Sequence, residues 1–217
     1  VEYLNMLQNH AFGQYGDLLK ALTRNPSMGS YLDNGQNRRT QLNENYGREL
    51  MQLFSVGLVQ LNLIGTPKRD ASGKLLETYS QKDVIEITRA LTGWNYAEPN
   101  VNRKSANNSN YGKPMEASWK DQHDTNAKTV LGKIIPAGQD AYQDLHSVVE
   151  IVVTHPNTAP FVSLRLIQGL TTSDPSPAYL ERVATVFRDT KGNLAKVVTA
   201  ILMDPEARAA DVPGKAT

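Results

Sequence analysis

Apolar residues recur at helical spacing through most of the chain. Residues 2–12 show the pattern at once. Leu18, Leu19 and Leu22 carry it through 15–23, until Asn25-Pro26 stops the run. A short helical turn is predicted over 27–32, and the polar stretch 33–42 holds the turn pair Asn34-Gly35. The next helix is predicted over 43–57. Tyr46, Leu50, Leu53, Phe54 and Gly57 fall there at i, i+4, i+7, i+8 and i+11, the spacing of a buried stripe, and Gly57 is a natural stop. The period then changes to alternation, with Val59, Leu61 and Leu63 against Gln60 and Asn62. Residues 75–79 can pair back across Thr66-Pro67 and Ser72-Gly73, which predicts a β-hairpin with a long tip.

Residues 80–92 read as a helix opened by a Ser80/Asp83 capping box, with Val84, Ile87, Thr88 and Leu91 inward. Residues 95–127 have no helical period, and so long a loop is either functional or mobile. Residues 129–135 read as one short buried strand. Helices follow over 140–154 and 158–170, joined by a His155-Pro156-Asn157 turn in which Asn157 is expected to cap. Ser176-Pro177 opens another helix, Asn193 caps the next, and Asp204-Pro205 repeats the cap-plus-proline device. Short connections make these helices antiparallel neighbours. The expected fold class is mainly α, a multi-helix bundle with a small β-hairpin and one further short strand. Leu53, Phe54, Leu91, Trp94, Phe161, Phe187 and Ile201 are the expected core. We expect a single helical domain over 1–217, with lobes 1–94 and 128–217 joined by the 95–127 loop. Residue 1 is a valine inside a helical pattern, so the chain is expected to be a piece of a longer protein, and 209–217 is expected to fray.

Composition narrows the function. Lys plus Arg number 23 against 22 Asp plus Glu, a balance without the basic excess of a nucleic-acid binder. No apolar run approaches the roughly 18 residues of a membrane span. Cysteine is absent, which excludes a disulfide framework, a thiol nucleophile and cysteine-ligated metals.

Two segments carry candidate chemistry. In Asn43-Glu44-Asn45-Tyr46-Gly47-Arg48-Glu49, Glu44 and Arg48 are spaced for a helical ion pair, and Asn45 and Glu49 share a face. Such a cluster can do acid–base work or hold a polar ligand, or it can simply cap a helix with a solvated pair. His123-Asp124, just before Lys128, offers a base beside a carboxylate. The other histidines, His10, His146 and His155, are too distant in sequence to make a zinc site with it, so no metal is assigned. Asp33-Asn34-Gly35-Gln36-Asn37 lacks the sixth-position glycine of a calcium loop. Trp94 seals the core or stacks on a flat ligand.

These segments together resemble a known family. Tyr31-Leu32-Asp33-Asn34 and the 43–51 segment are similar to the hallmark of a large bacterial family catalogued as domain of unknown function number eighteen hundred. The resemblance continues through Asp83-Val84, Ala90-Leu91-Thr92-Gly93-Trp94, His123-Asp124 before Lys128, and His155-Pro156-Asn157-Thr158-Ala159-Pro160-Phe161. Gly47 departs from it, since alanine is usual there. The resemblance implies that this chain matches the C-terminal portion of longer proteins. It implies export, to the periplasm or outside the cell, and a co-encoded sulfatase-like partner. No activity or cofactor comes with it. Its hallmark polar residues map onto Asp33, Asn34, Asn37, Asn43, Glu44, Asn45, Arg48, Glu49, Trp94, His123, Asp124 and Lys128.

Two functions are consistent with this pattern. One is a binding or assembly module with a single polar pocket, where Asp33, Asn34, Asn37, Asn45, Arg48, Trp94 and Lys128 meet a ligand. The other is a hydrolase-like enzyme acting on a glycan or other polymer through Glu44 or Glu49 with His123 and Asp124. In both, Asp33, Asn45, Glu49, His123 and Asp124 are expected to converge on one face of the 43–57 helix, with Arg48 or Lys128 as counter-charge.

Overall fold

A computed structural model describes residues 2–97 and 110–209. These residues form a mainly α fold with one two-stranded hairpin. The elements are α1 (Glu2–His10), α2 (Tyr15–Thr23), α3 (Pro26–Tyr31), α4 (Asn45–Gln52), α5 (Gln81–Ala90), β1 (Lys128–Val130), β2 (Lys133–Ile135), α6 (Ala141–Thr154), α7 (Thr158–Leu170), α8 (Pro177–Asp189), α9 (Leu194–Leu202) and α10 (Pro205–Arg208). Residues 98–109 of the predicted loop and most of the tail expected to fray, 210–217, lie outside the described residues.

The helix starts follow the sequence closely. The Asn25 side chain accepts from the Ser27 and Met28 amides, with Pro26 in the first turn. Ser80 with Asp83, and Asp140 with Gln143, make reciprocal capping boxes. Ser176, Asn193 and Asp204 accept from the first turns of α8, α9 and α10. Each cap satisfies amides that have no partner within their own helix.

Five local expectations are corrected. Helix α4 ends at Gln52 rather than running to 57, because the chain turns there. The Gly57 amide donates back to the Met51 carbonyl and the Ser55 hydroxyl to the Leu50 carbonyl, with Gly57 at φ +68°. Tyr46, Leu50 and Met51 therefore form the buried face, and Leu53 is 57% exposed. Phe54 and Phe161 are only partly buried. The expected hairpin over 59–79 is instead a fold of three short legs. The Gln60 amide donates to the Leu76 carbonyl, Leu76 to Lys68, and Lys68 to Gln60, joining the legs pairwise by single bridges. The predicted strand 129–135 is the hairpin β1–β2, with Lys128 opposite Ile135. Its turn is Leu131-Gly132, with φ of +48° and +74°, the two-residue geometry that suits a hairpin twist. Leucine is an unusual first residue for that turn, which hid it. Asn157 does not cap α7. Its side chain accepts from the Leu61 amide and donates to the Val56 and Val59 carbonyls, tying the three-legged fold to the α6–α7 corner.

The apolar core falls into two clusters. One gathers Leu19, Leu50, Ile87, Trp94, Val130 and Val148, so it draws on both sides of the 95–127 stretch. The other gathers Val162, Tyr179, Val183, Phe187, Val197 and Ile201 from α7, α8 and α9. Tyr15 packs against both. Its ring meets Phe187 edge-on at 5.5 Å, and its hydroxyl donates to the Phe54 carbonyl at 2.5 Å.

Phe187 is fully buried, so Phe187→Ala should cost about 3–5 kcal/mol in urea unfolding. Leu53→Ala should stay within about 0.5 kcal/mol, as for an exposed position. Equal costs would show that the α4 face is misassigned.

Candidate functional site

The motif Thr92-Gly93-Trp94 closes α5, and the predicted polar residues gather around it. Gly93 sits at φ +89°, and a Cβ there would lie 3.0 Å from the Cβ of His123. Only glycine meets both demands, and its absent side chain lets the His123 backbone pack against it. The Gly93 amide donates to the Asn37 carbonyl. The Asn37 side chain donates to the Thr88 carbonyl at 2.8 Å and accepts the Asn43 amide at 3.1 Å. Asn37 thus fastens the 33–43 turn to the end of α5. Asn34 is equally buried and donates to the Thr23 carbonyl, and its Oδ1 has no partner. Asp33 precedes it in a left-handed conformation, φ +59°.

On the other side of Gly93 lies a buried ionic cluster. His123 Nδ1 stands 2.9 Å from the Thr92 carbonyl, which can only accept, so Nδ1 carries a proton. Its Nε2 is 3.2 Å from Asp144 Oδ2 without hydrogen-bond alignment. The same carboxylate oxygen accepts from Lys128 Nζ at 2.5 Å, with both side chains fully buried. Lys128 Nζ also donates to the Asp124 carbonyl. Asp144 lies in the first turn of α6, where the helix end favours negative charge.

Asp124 faces outward from this cluster to Arg89. Arg89 Nε donates to Asp124 Oδ2 at 2.7 Å, and its Nη1 pairs with Glu86 at 2.8 Å. Partial burial acts to raise the Asp124 pKa, but hydrogen bonds from Arg89 and Asn126 outweigh it and hold the carboxyl below its ordinary value of 3.8. Helix α5 uses three residues, spaced three apart, on this segment. Asp83 accepts the Leu131 amide, Glu86 the Thr129 amide, and Arg89 holds Asp124.

The α4 residues form a separate group. Glu44 pairs with Arg48 at 2.9 Å, and Gln81 donates to Glu44 and accepts from Arg48. Asn45 is exposed. Glu49 is half-buried, with Oε2 shielded and unpartnered, and the Tyr79 hydroxyl is in the same condition. Burial raises the Tyr79 phenol, Arg48 opposes that shift, and Glu49 adds to it. Trp94 is fully buried, its ring edge-on to Tyr142 at 5.0 Å, so neither ring face is open to solvent.

The structure therefore brings His123, Asp124 and Lys128 together, and separately Glu44 with Arg48. Among the described residues no hydrogen bond or ion pair joins the two groups, and no three His, Asp or Glu side chains converge as a metal site requires. Sequence reasoning missed Asp144, Arg89 and Glu86. Asp144 had a visible signal, because it lies at i−4 and i−8 from the inward residues Val148 and Val152.

A family model described as Protein of unknown function (DUF1800) matches residues 1–217. No curated protein and no solved structure matches the chain.

Two predictions follow from the ionic cluster. Lys128→Met or Asp144→Leu alone strands a buried charge and should cost about 3–5 kcal/mol. The double variant Lys128→Met/Asp144→Leu should cost less than either single, measured by urea unfolding. The Arg89–Asp124 pair adds stability above the unfolded aspartate value of 3.8, and that contribution is lost as pH falls through the lower folded value. Asp124→Asn should therefore be less stable at neutral pH and lose stability less steeply than the parent below about pH 4. Parallel pH profiles of the two proteins would refute this.

Proposed function

This chain belongs to the family of unknown function whose model spans it, and we propose that it acts as a binding or assembly module rather than an enzyme. One observation carries the reading. His123, Asp124 and Lys128, the residues best suited to catalysis, are already engaged by Thr92, Arg89 and Asp144 at the junction of α5, β1 and α6. A general base held on a backbone carbonyl, with its other nitrogen buried against Asp144, has no open side for substrate. Asn34 and Asn37 serve the fold in the same way. The Glu44–Arg48–Gln81 group and Asn45 keep exposed atoms at the starts of α4 and α5, and they form the contact face in this proposal. Export, a co-encoded sulfatase-like partner and a glycan or other polymeric ligand belong to the proposal through the family resemblance alone.

A hydrolase-like reading has one observation in its favour. Glu49 Oε2 and the Tyr79 hydroxyl are shielded and unpartnered, and the two side chains feel each other's charge. A half-buried carboxylate with one shielded oxygen, near a phenol, is a reasonable acid–base pair.

Polysaccharides offered to the purified protein separate the two readings. The module should retard on affinity electrophoresis through a suitable polymer, release no reducing ends, and lose retardation in Arg48→Ala with its melting temperature little changed. Release of reducing ends that disappears in Glu49→Gln would overturn the module and support the enzyme.

A further inference from the structure

The seam between α1, the α2–α3 corner and residues 111–114 opens into a cleft of about 250 Å³. Arg24 lines it. Its Nε donates to the Met115 carbonyl at 3.2 Å, and its guanidinium carbon lies 5.3 Å from the Tyr142 ring centroid and 5.9 Å from that of Trp94. The side chain is therefore fixed in place. Among the described residues, however, no carboxylate pairs with it, and the hydrogen bond its side chain makes is the one from Nε. An arginine fork held rigid and left unpaired is pre-organised for a bidentate acceptor.

Asn25, beside it, is the second observation. It is 94% buried by its exposure of 6%, and its Oδ1 is spent on the Ser27 and Met28 amides as the cap of α3. What remains is Nδ2, which can only donate and has no partner among the described residues. Arg24 and Asn25, the two side chains tied down beside the cleft, thus have only donors left to offer, while Asn5, Asn9 and Tyr111 complete its polar lining. Lys113 and His10 stand on its walls, and Glu2 is the one acid among its lining residues.

We propose that this cleft binds an oxyanion, a carboxylate, sulfate or phosphate group carried on a small polar molecule. Arg24 supplies the charge and the fork, and Asn25 Nδ2 a third donor. Glu2 on the rim disfavours highly charged species. The inference does not depend on the reading of α4 given above, because the two sites share no residue.

Acetate, sulfate and phosphate are titrated separately into the whole protein, against sodium chloride of equal ionic strength, while the side-chain resonances of Asn25 and Arg24 are followed by NMR. At least one anion should shift them along a saturable curve. The strongest of the three identifies a planar or a tetrahedral group. Asn25→Asp is the decisive variant. Its carboxylate can still accept the Ser27 and Met28 amides, so the cap survives, but the donor becomes a negative charge. Binding should weaken by about tenfold or more. Gln168→Glu carries the same charge change on exposed α7 and should bind as the parent does. Should Asn25→Asp fail to fold by circular dichroism, Lys113→Ala on the exposed loop replaces it, with a severalfold weakening expected. Linear shifts for all three anions, saturation at other residues, or a folded variant that binds as tightly as the parent would overturn the proposal.

Discussion

Two opposite charges withdrawn from water, the Lys128 ammonium and the Asp144 carboxylate, fix where three distant segments meet. The lysine opens β1, the carboxylate opens α6, and His123 brings the end of α5 against both. A pair of this kind adds little net stability over an apolar filling, but separating its members leaves a stranded charge worth several kcal/mol. Arrangements that pull β1 away from α6 are therefore heavily penalised. The rest follows from that junction. The 123–128 segment must cross over the end of α5, so position 93 must lack a side chain. Helix α5 must then offer acceptors for the β1 hairpin amides, which Asp83 and Glu86 do.

Much of the helical framework was legible because its signals are local. A cap, its first-turn proline and the following stripe lie within one or two turns, and Ser80, Ser176, Asn193 and Asp204 act as the pattern indicates. The end of α4 was not legible. Leu53 and Phe54 continue the apolar period, but a turn closed by Gly57 withdraws them, and Met51 takes the inward place. Helical spacing cannot register a turn that uses the same residues.

The polar residues were harder still. Asn37, Asn157 and Asp144 act on partners 51, 101 and 16 positions away. Sequence read locally makes an asparagine at a turn a cap, and it made Asn157 one wrongly. Gly47 is a similar case. It reads as a weak helix residue, yet a Cβ there would lie 2.7 Å from Thr88 Oγ1, so its absence sets how closely α4 approaches α5. The cluster around His123 shows the same limit, because its unpredicted member is the carboxylate that gives the others their role.

The division of the apolar core at the 155–157 corner has a consequence for how the chain orders itself. The second cluster is drawn wholly from residues 159–201, whereas the first must gather residues from 19 to 152. Closing a long loop costs more chain entropy than closing a short one, and contacts local in sequence form fastest. The C-terminal helices can thus condense early, while the N-terminal cluster waits for α6 to arrive. Several ties couple them: the Tyr15 ring touches both clusters, the Asn157 amide grips residues 56–61, and the Tyr15 amide and Gly13 carbonyl bond to Gly192 and Leu194. Ties of this kind, spread along the seam, let the two parts melt as one cooperative body even though they order at different times.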